Sequence, residues 1–409
     1  MWFALAVTCT LVTASIAPPG AEVALPPPLV LPANNVEDSL GPASPASRTL
    51  LMRHLQGTYY GWLLDGNRVR LTGWTEAAFT ASTDQIEQLP MVFNYRANQL
   101  LLQQNWLRID RATDPNATEP TVGFRVDTIL PGSDYRFTVD RGLFDGQLTA
   151  NNGQPNLYGF DPVQFYVETH IPQVAQGLSI KVGRFFAQFG FESIDTTQNP
   201  FLSRAYTFIY NPFTQTGVLT QVQLDEAWSM QNGLVLGSDV FIDPAATPTY
   251  IGSIKWAPPR GRTSVLCAVV LSDPRYDTRQ EFNRPQIFDV VFSYKIDTRT
   301  TYTLDALYGY QRDVPQLGFA DWFGLVQYIN HQIGPRVAGN VRLEWFNDPS
   351  GQRTGSEGLY TALTAGLAYQ PCPELLLRPE VRYDYNDQTR PFEGKKGLVT
   401  AALDLVLRW

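Results

Sequence analysis

From about Arg68 to Trp409 this chain keeps one texture: short segments that alternate apolar and polar residues, separated by Gly, Pro, Asp and Asn. In "PVQFYVETH", Val163, Phe165, Val167 and Thr169 fall on one side, and Gln164, Tyr166, Glu168 and His170 on the other. "GLSIKVGR" opposes Leu178, Ile180 and Val182 to Ser179, Lys181 and Gly183. "RVAGNVRLEWF" sets Val341, Leu343 and Trp345 against Arg342 and Glu344, and "LLLRPEVRYDY" sets Leu375, Leu377, Val381, Tyr383 and Tyr385 against Arg378, Glu380, Arg382 and Asp384. A period of two means strands with one apolar face, and no helical period of comparable length competes. The chain is therefore read as all-β, with about sixteen strands.

The alternation runs to the last residue. In "GLVTAALDLVLRW", residues 397–409, Val399, Ala401, Leu403, Leu405, Leu407 and Trp409 share one face, while Thr400, Asp404 and Arg408 lie on the other. Chain ends are ordinarily polar and frayed, so an apolar terminal strand needs something apolar to face. Charged residues are 17% of the chain, below the roughly 25% of soluble domains, and aromatics reach 12%. Many aromatics sit near strand ends: Trp62, Tyr135, Tyr158, Trp228, Trp256, Tyr276, Tyr310, Trp345 and Tyr385. A β-sandwich alternates too, but its polar face looks at bulk water; here the polar face carries ion-pairable sets of both signs. An apolar outer band, aromatic girdles and a polar interior are what a transmembrane barrel requires. Lipid tolerates no unpaired strand edge, so the sheet must close. The expected fold is one antiparallel transmembrane β-barrel with a long constriction-type loop.

The N-terminus reads as three parts. Residues 1–24 open on "MWFALAVTCTLVTASIA", an apolar run then small residues, as in a cleaved secretory signal, although no Lys or Arg precedes the run. Residues 25–55 form a Pro/Ala-rich extended arm on the periplasmic side, and 56–409 the barrel. Within these, "RTLLMRHLQGTYYGW" (48–62) fits a short helix or a first hairpin equally. Past the N-terminus no window approaches the ~20 apolar residues of a membrane helix. The formal charge of −8 argues against nucleic acid as a partner.

Catalytic chemistry finds little support. His54, His170 and His331 are the only histidines, none in H-E-x-x-H spacing, and G-x-S-x-G is missing. An outer-membrane phospholipase needs a Ser–His pair on the barrel exterior, and in this register neither His170 nor His331 faces outward. Cys9 lies in the segment lost on processing, and Cys267 and Cys372 are far apart, without metal or redox spacing. No enzyme activity, metal or cofactor is expected.

Two stretches resemble a known family. "NQLLLQQNWLRIDRA … VGFRVDTILPGSDYRFTVDRGL" and "KVGRFFAQFGFESIDTTQNPFLSRAYTFIYNPFTQTG" are similar to the OmpL-like outer-membrane β-barrel porins abundant in planctomycete-type genomes. There a Gly-Arg strand end leads through a Phe/Tyr-rich loop to a "PFT-x-TG" segment, matched by Gly183-Arg184 and by Pro212-Phe213-Thr214 with Thr216-Gly217. The closing "AALDLVLRW" resembles the signal read by outer-membrane barrel assembly machinery, which makes Leu403, Leu405, Leu407 and Trp409 the assembly residues. The resemblance covers roughly residues 60–409. It implies a passive channel in the bacterial outer membrane, with lipid, the assembly machinery and small hydrophilic solutes as partners. Porins of this size are often homotrimers.

A channel needs a lumen whose charges and constriction filter solutes. The alternation puts Arg125, Asp127, Glu168, Arg342, Glu344, Arg378, Glu380, Arg382 and Asp384 inside, with Arg70, Glu76, Lys255, Asp289, Lys295 and Asp305 beside them. Acids and bases are about balanced, which predicts a weakly ion-selective wall with at most a cation-attracting mouth. Sets such as Arg378–Asp384 are read as bracing the wall. The segment 185–216 is too long and too rich in Phe and Tyr to lie solvated, so it must pack on something. If it enters the lumen, Lys181, Arg184, Glu192, Asp195 and Arg204 are the constriction candidates; packing on the outer rim or another hairpin are the alternatives. Two other functional readings stand beside the porin. One is a structural barrel plugged by this segment. The other is a soluble exported all-β carbohydrate-binding protein with an aromatic sugar site.

Overall fold

The computed structural model describes residues 48–243, 246–275 and 285–409. The expected signal, residues 25–47 of the arm and Tyr276 lie outside them. The stretch at 48–62 is helical: α1 spans Leu50–Leu55 and α2 Tyr59–Gly66. Thr58 caps α2 by accepting a hydrogen bond from Gly61 N at 3.1 Å. Trp62, expected near a strand end, sits on α2 and is 70% exposed.

Sixteen strands follow. The first eight are β1 (Arg70–Ser82), β2 (Leu100–Arg111), β3 (Thr121–Gly132), β4 (Gly159–Ile171), β5 (Leu178–Phe186), β6 (Thr214–Gln223), β7 (Trp228–Ser238) and β8 (Thr249–Trp256). The rest are β9 (Thr263–Leu271), β10 (Gln286–Lys295), β11 (Thr300–Val314), β12 (Gly318–Gly334), β13 (Val337–Asp348), β14 (Gly358–Cys372), β15 (Leu375–Asn386) and β16 (Gly397–Arg408). Each pairs antiparallel with its chain neighbours, and β16 returns to β1, closing the barrel. Connections after even-numbered strands are short, such as 224–227, 335–336 and 373–374, whereas 83–99, 133–158 and 187–213 on the opposite rim are long.

The terminal strand forms the seam. Its register runs from Trp74↔Arg408 to Ser82↔Thr400. Trp409 continues it, exchanging backbone hydrogen bonds with Gly73 at 2.9 Å each way. A Cβ on Gly73 would collide with the Trp409 ring, so glycine is what lets that indole cover the first strand. Asp404 and Arg408 point inward: Asp404 is fully buried and ion-paired to Arg378.

Elsewhere the alternation is equally strict. On β15, Val381, Tyr383 and Tyr385 are exposed, and Arg378, Glu380, Arg382 and Asp384 between them are buried. Two expectations need correction. Tyr135 is no surface anchor; it is fully buried on the short helix α3 (Tyr135–Thr138), donating to Asn156 O at 3.0 Å. His331 shares the parity of the exposed Ile329 and Ile333, so it faces outward. Its neighbour there is Thr300, 3.0 Å from Nδ1, which is itself held by Asp297 at the turn.

The outward faces make a labelling prediction. Cys267 is exposed between the buried, inward Leu266 and Ala268, whereas Cys372 ends β14 at the short-turn rim. In proteoliposomes a water-soluble maleimide should label Cys372 at least about tenfold faster than Cys267, because the reactive thiolate does not form in hydrocarbon. Equal rates would refute the outward register of β9.

Candidate functional site

The β5–β6 connection, 187–213, enters the barrel. Phe201, Leu202, Arg204, Ala205, Tyr206 and Thr207 are each at most 1% exposed. An irregular backbone inside a closed sheet must find partners for its N–H and C=O groups, and the inner wall supplies them. Glu380 accepts from Leu202 N at 2.9 Å and Ser203 N at 3.2 Å, and Glu344 accepts from Tyr206 N at 2.9 Å. Arg378 donates to Thr196 O and Asn199 O, both at 2.8 Å, and Arg382 to Arg204 O at 3.0 Å. On the neighbouring wall, Asp289 and Asp305 accept from Gly190 N and Phe191 N. A one-turn helix, α4 (Tyr206–Ile209), is thereby wedged against β11–β13.

These same wall groups are paired with one another. Arg342 bridges Glu192 of the segment and Glu344 of its own strand, at 2.7 Å each, and also donates to Ser203 O at 2.8 Å. Arg382 pairs with Glu344 at 2.8 Å and Asp384 at 2.7 Å. Arg378 contacts Asp404 and, at 3.3 Å, Glu76, so it ties β15 to both seam strands. Arg–carboxylate forks of this kind are favourable only because every partner stays engaged.

The expected constriction residues disperse. Glu192 and Asp195 lie within the segment and are sealed, Asp195 reaching Arg108 at 3.2 Å. Arg204 folds back on Leu202 O at 2.8 Å, over the Phe93 ring. Lys181 is inward, 5.0 Å from the centre of the Tyr166 ring. Arg184 has the opposite parity to Lys181 and is fully buried near the long-connection rim, with Asp161 at 2.7 Å and Asp140 at 2.8 Å. In that cluster burial pushes the Asp140 carboxyl up to about 6, and burial with the nearby Asp140 charge pushes Asp239 up to about 7. Of the inward candidates, Arg342, Glu344, Arg378, Glu380, Arg382 and Asp384 all serve the segment, and Arg125, Asp127 and Glu168 lie on the other wall.

That other wall borders the open space. A cavity of about 470 Å³ runs from the short connections, at Thr113, Gln176, Ala227 and Ala257, up to Tyr166 and Gln188. Its polar lining includes Arg125, Glu168, His170, Ser179, Gln221, Gln231, Ser253 and Lys255. The uncharged members escape a reading based on charge; their signal is the Gln/Ser alternation in "TQVQ" and "WSMQ". Two residues further along each strand, the inward positions turn apolar. Leu219↔Gly233, Gly233↔Ile251, Ile251↔Val270 and Val270↔Ile287 pair in succession. A Cβ on Gly233 would stand 2.8 Å from Ile251, so glycine there lets Ile251 lie across it. Phe185 near the end of β5, with Ala187 and Phe189 at the start of the segment, joins this layer in one buried cluster.

The model of the family described as "Putative beta-barrel porin-2, OmpL-like" matches residues 68–408. The chain belongs to that family. As a porin of this family it is a bacterial outer-membrane β-barrel of the channel-forming type. The match spans every strand and leaves out α1 and α2. No curated protein matches the chain in sequence. Three solved porin structures share its fold. The anion-selective porin of Comamonas acidovorans has a TM-score of 0.53 at 9% identity, covering 83% of this chain and 99% of that one. OmpT of Vibrio cholerae in its trimer form gives 0.55 at 11%, covering 83% and 99%. OprB of Pseudomonas putida gives 0.54 at 11%, covering 86% and 96%. The family and fold are those of non-enzymatic channels, and among the described residues no helix is long and apolar enough to cross a membrane.

Proposed function

We propose that this porin passes small hydrophilic solutes and ions by passive diffusion, along the β2–β9 side of its lumen. The carrying observation is the polar cavity there, beside a segment tethered to the opposite wall. The acids and bases that border this path partly offset one another, Arg70 with Asp110 at 3.1 Å, Arg125 with Asp127 at 3.0 Å, and Glu168 opposite Lys181 in register, while Arg111 and Lys255 add two further basic groups to the lining. A path with partly compensated charges discriminates weakly between ions. The apolar layer above the cavity makes the resting state closed to ions, since a dry constriction offers no replacement for hydration. The barrel therefore opens when the start of the segment, Ala187–Phe189, shifts off the end of β5.

Planar-bilayer recording tests this. Stepwise openings are expected, with a cation-to-anion permeability ratio within about threefold of unity. Phe189→Ser should lengthen the open time by wetting the layer. A folded barrel that inserts and never conducts, with or without Phe189→Ser, leaves the plugged barrel as the correct reading. The remaining elements of the proposal are export by the 1–24 signal, a periplasmic arm to residue 55, insertion through the Trp409 strand, no catalytic activity, and assembly as a homotrimer. The last rests on the trimer form of the structurally similar OmpT.

A further inference from the structure

We infer that the cavity is a binding site for a small neutral polyhydroxylated solute, a sugar or polyol, and that a cross-strand row of amides and hydroxyls recognises it. The role of this site in transport rests on the channel reading above; the binding itself does not.

One inward residue from each of five consecutive strands stands at a single level. His170 pairs in register with Ser179, Ser179 with Gln221, Gln221 with Gln231, and Gln231 with Ser253. All five line the cavity. Their side chains are linked laterally: His170 Nδ1 lies 3.2 Å from Ser179 Oγ, Gln231 Nε2 donates to Gln221 Oε1 at 3.1 Å, and Ser253 Oγ donates to Gln231 Oε1 at 3.3 Å. These bonds orient the amides. With its oxygen engaged by Gln231, Gln221 is left with Nε2 as a donor for the cavity, and Gln231 keeps a second N–H of its own.

The row contains no carboxylate, ammonium or guanidinium. Charged side chains line the same cavity at other levels, with Glu168 and Lys255 two residues from His170 and Ser253. At the level of the row itself a charged solute would surrender hydration without a counter-charge, whereas a neutral one exchanges water hydrogen bonds for amide and hydroxyl bonds nearly one for one. Hydroxyl groups both donate and accept, which matches a row that offers both. Tyr166 and Leu266 flank the cavity and give the C–H face of a sugar ring an apolar surface. The cavity volume of about 470 Å³ falls in the range of small-molecule sites.

The test is calorimetric titration of the full chain, folded in detergent, with sucrose, gluconate and glucosamine as probes. Sucrose is expected to bind with a dissociation constant on the order of 1 mM, tighter than either charged probe. Gln221→Leu combined with Gln231→Leu should weaken sucrose at least about tenfold, and the isosteric Gln231→Glu should do the same if the double variant fails to fold. Arg275→Gln, on an exposed connection outside the cavity, should leave sucrose binding unchanged. No sucrose binding, preference for gluconate or glucosamine, or sucrose binding indifferent to the row variants would overturn the proposal. Bilayer conductance recorded on the same preparations separates the two readings. Conductance without sugar binding removes the site alone, and sugar binding without conductance removes the channel alone.

Discussion

Excising residues 190–210 and bridging the gap with a short Gly/Ser linker should raise single-channel conductance by about tenfold, because most of what fills the lumen departs. The barrel should survive this. Every strand pair, including the β1–β16 seam, has a register that owes nothing to the segment. The wall charges left behind still have each other: Arg342 with Glu344, Arg382 with Asp384, and Arg378 with Asp404. They would also regain water, so no buried charge is orphaned. Unchanged conductance from a folded, heat-modifiable barrel would mean that the segment is not what limits flow.

A single substitution that leaves the segment in place should do more damage to stability. Arg342→Met removes the only cation ion-paired with Glu192 among the described residues, and one of two on Glu344. Breaking one side of a buried ion pair typically costs about 3–5 kcal/mol, because the remaining charge has neither water nor partner. The midpoint of urea unfolding in detergent should fall accordingly, and protease should begin to cut within 187–213. Adding Glu192→Gln should restore most of the loss, since the orphaned carboxylate then disappears. A stable single variant, or no rescue in the double, would show that this fork does not hold the segment.

How much of this was legible beforehand depends on which quantity a residue pattern encodes. Period two encodes side, so the inward placement of Arg378, Arg382, Asp384 and Asp404 could be read directly from the chain. It does not encode height or partner. The sequence placed Arg378 beside Asp384 on one strand, yet its partners are Asp404 and Glu76, brought to it only when the last strand meets the first. Tyr135 looked like an interface aromatic because aromatic residues near strand ends often are. The fold of the 133–158 connection buried it instead. His331 faces outward because it shares the parity of the exposed Ile329 and Ile333 on the long strand β12, where polar residues on both faces blur the alternation. The uncharged cavity row left almost no trace, since Gln and Ser on an alternating strand read as ordinary polar filler.

The closed circle of sixteen came from the tertiary structure; the sequence by itself determined an all-β chain of about sixteen strands, the two faces and the closing role of the terminal strand. These follow from covalent alternation and from the cost of leaving backbone groups unpaired in lipid. It also determined that 185–216 must pack, since nine of its residues are Phe or Tyr. Only the tertiary structure decided where. The segment lies against β10–β16 and, across the seam, β1 and β2, because Glu344, Glu380, Arg378 and Arg382 offer its backbone the partners it lacks and Gln104 donates to Ile194 O. That choice of wall leaves the Gln- and Ser-lined side open. The closed circle of the barrel sets these groups face to face, and no local pattern in the chain specifies that distance.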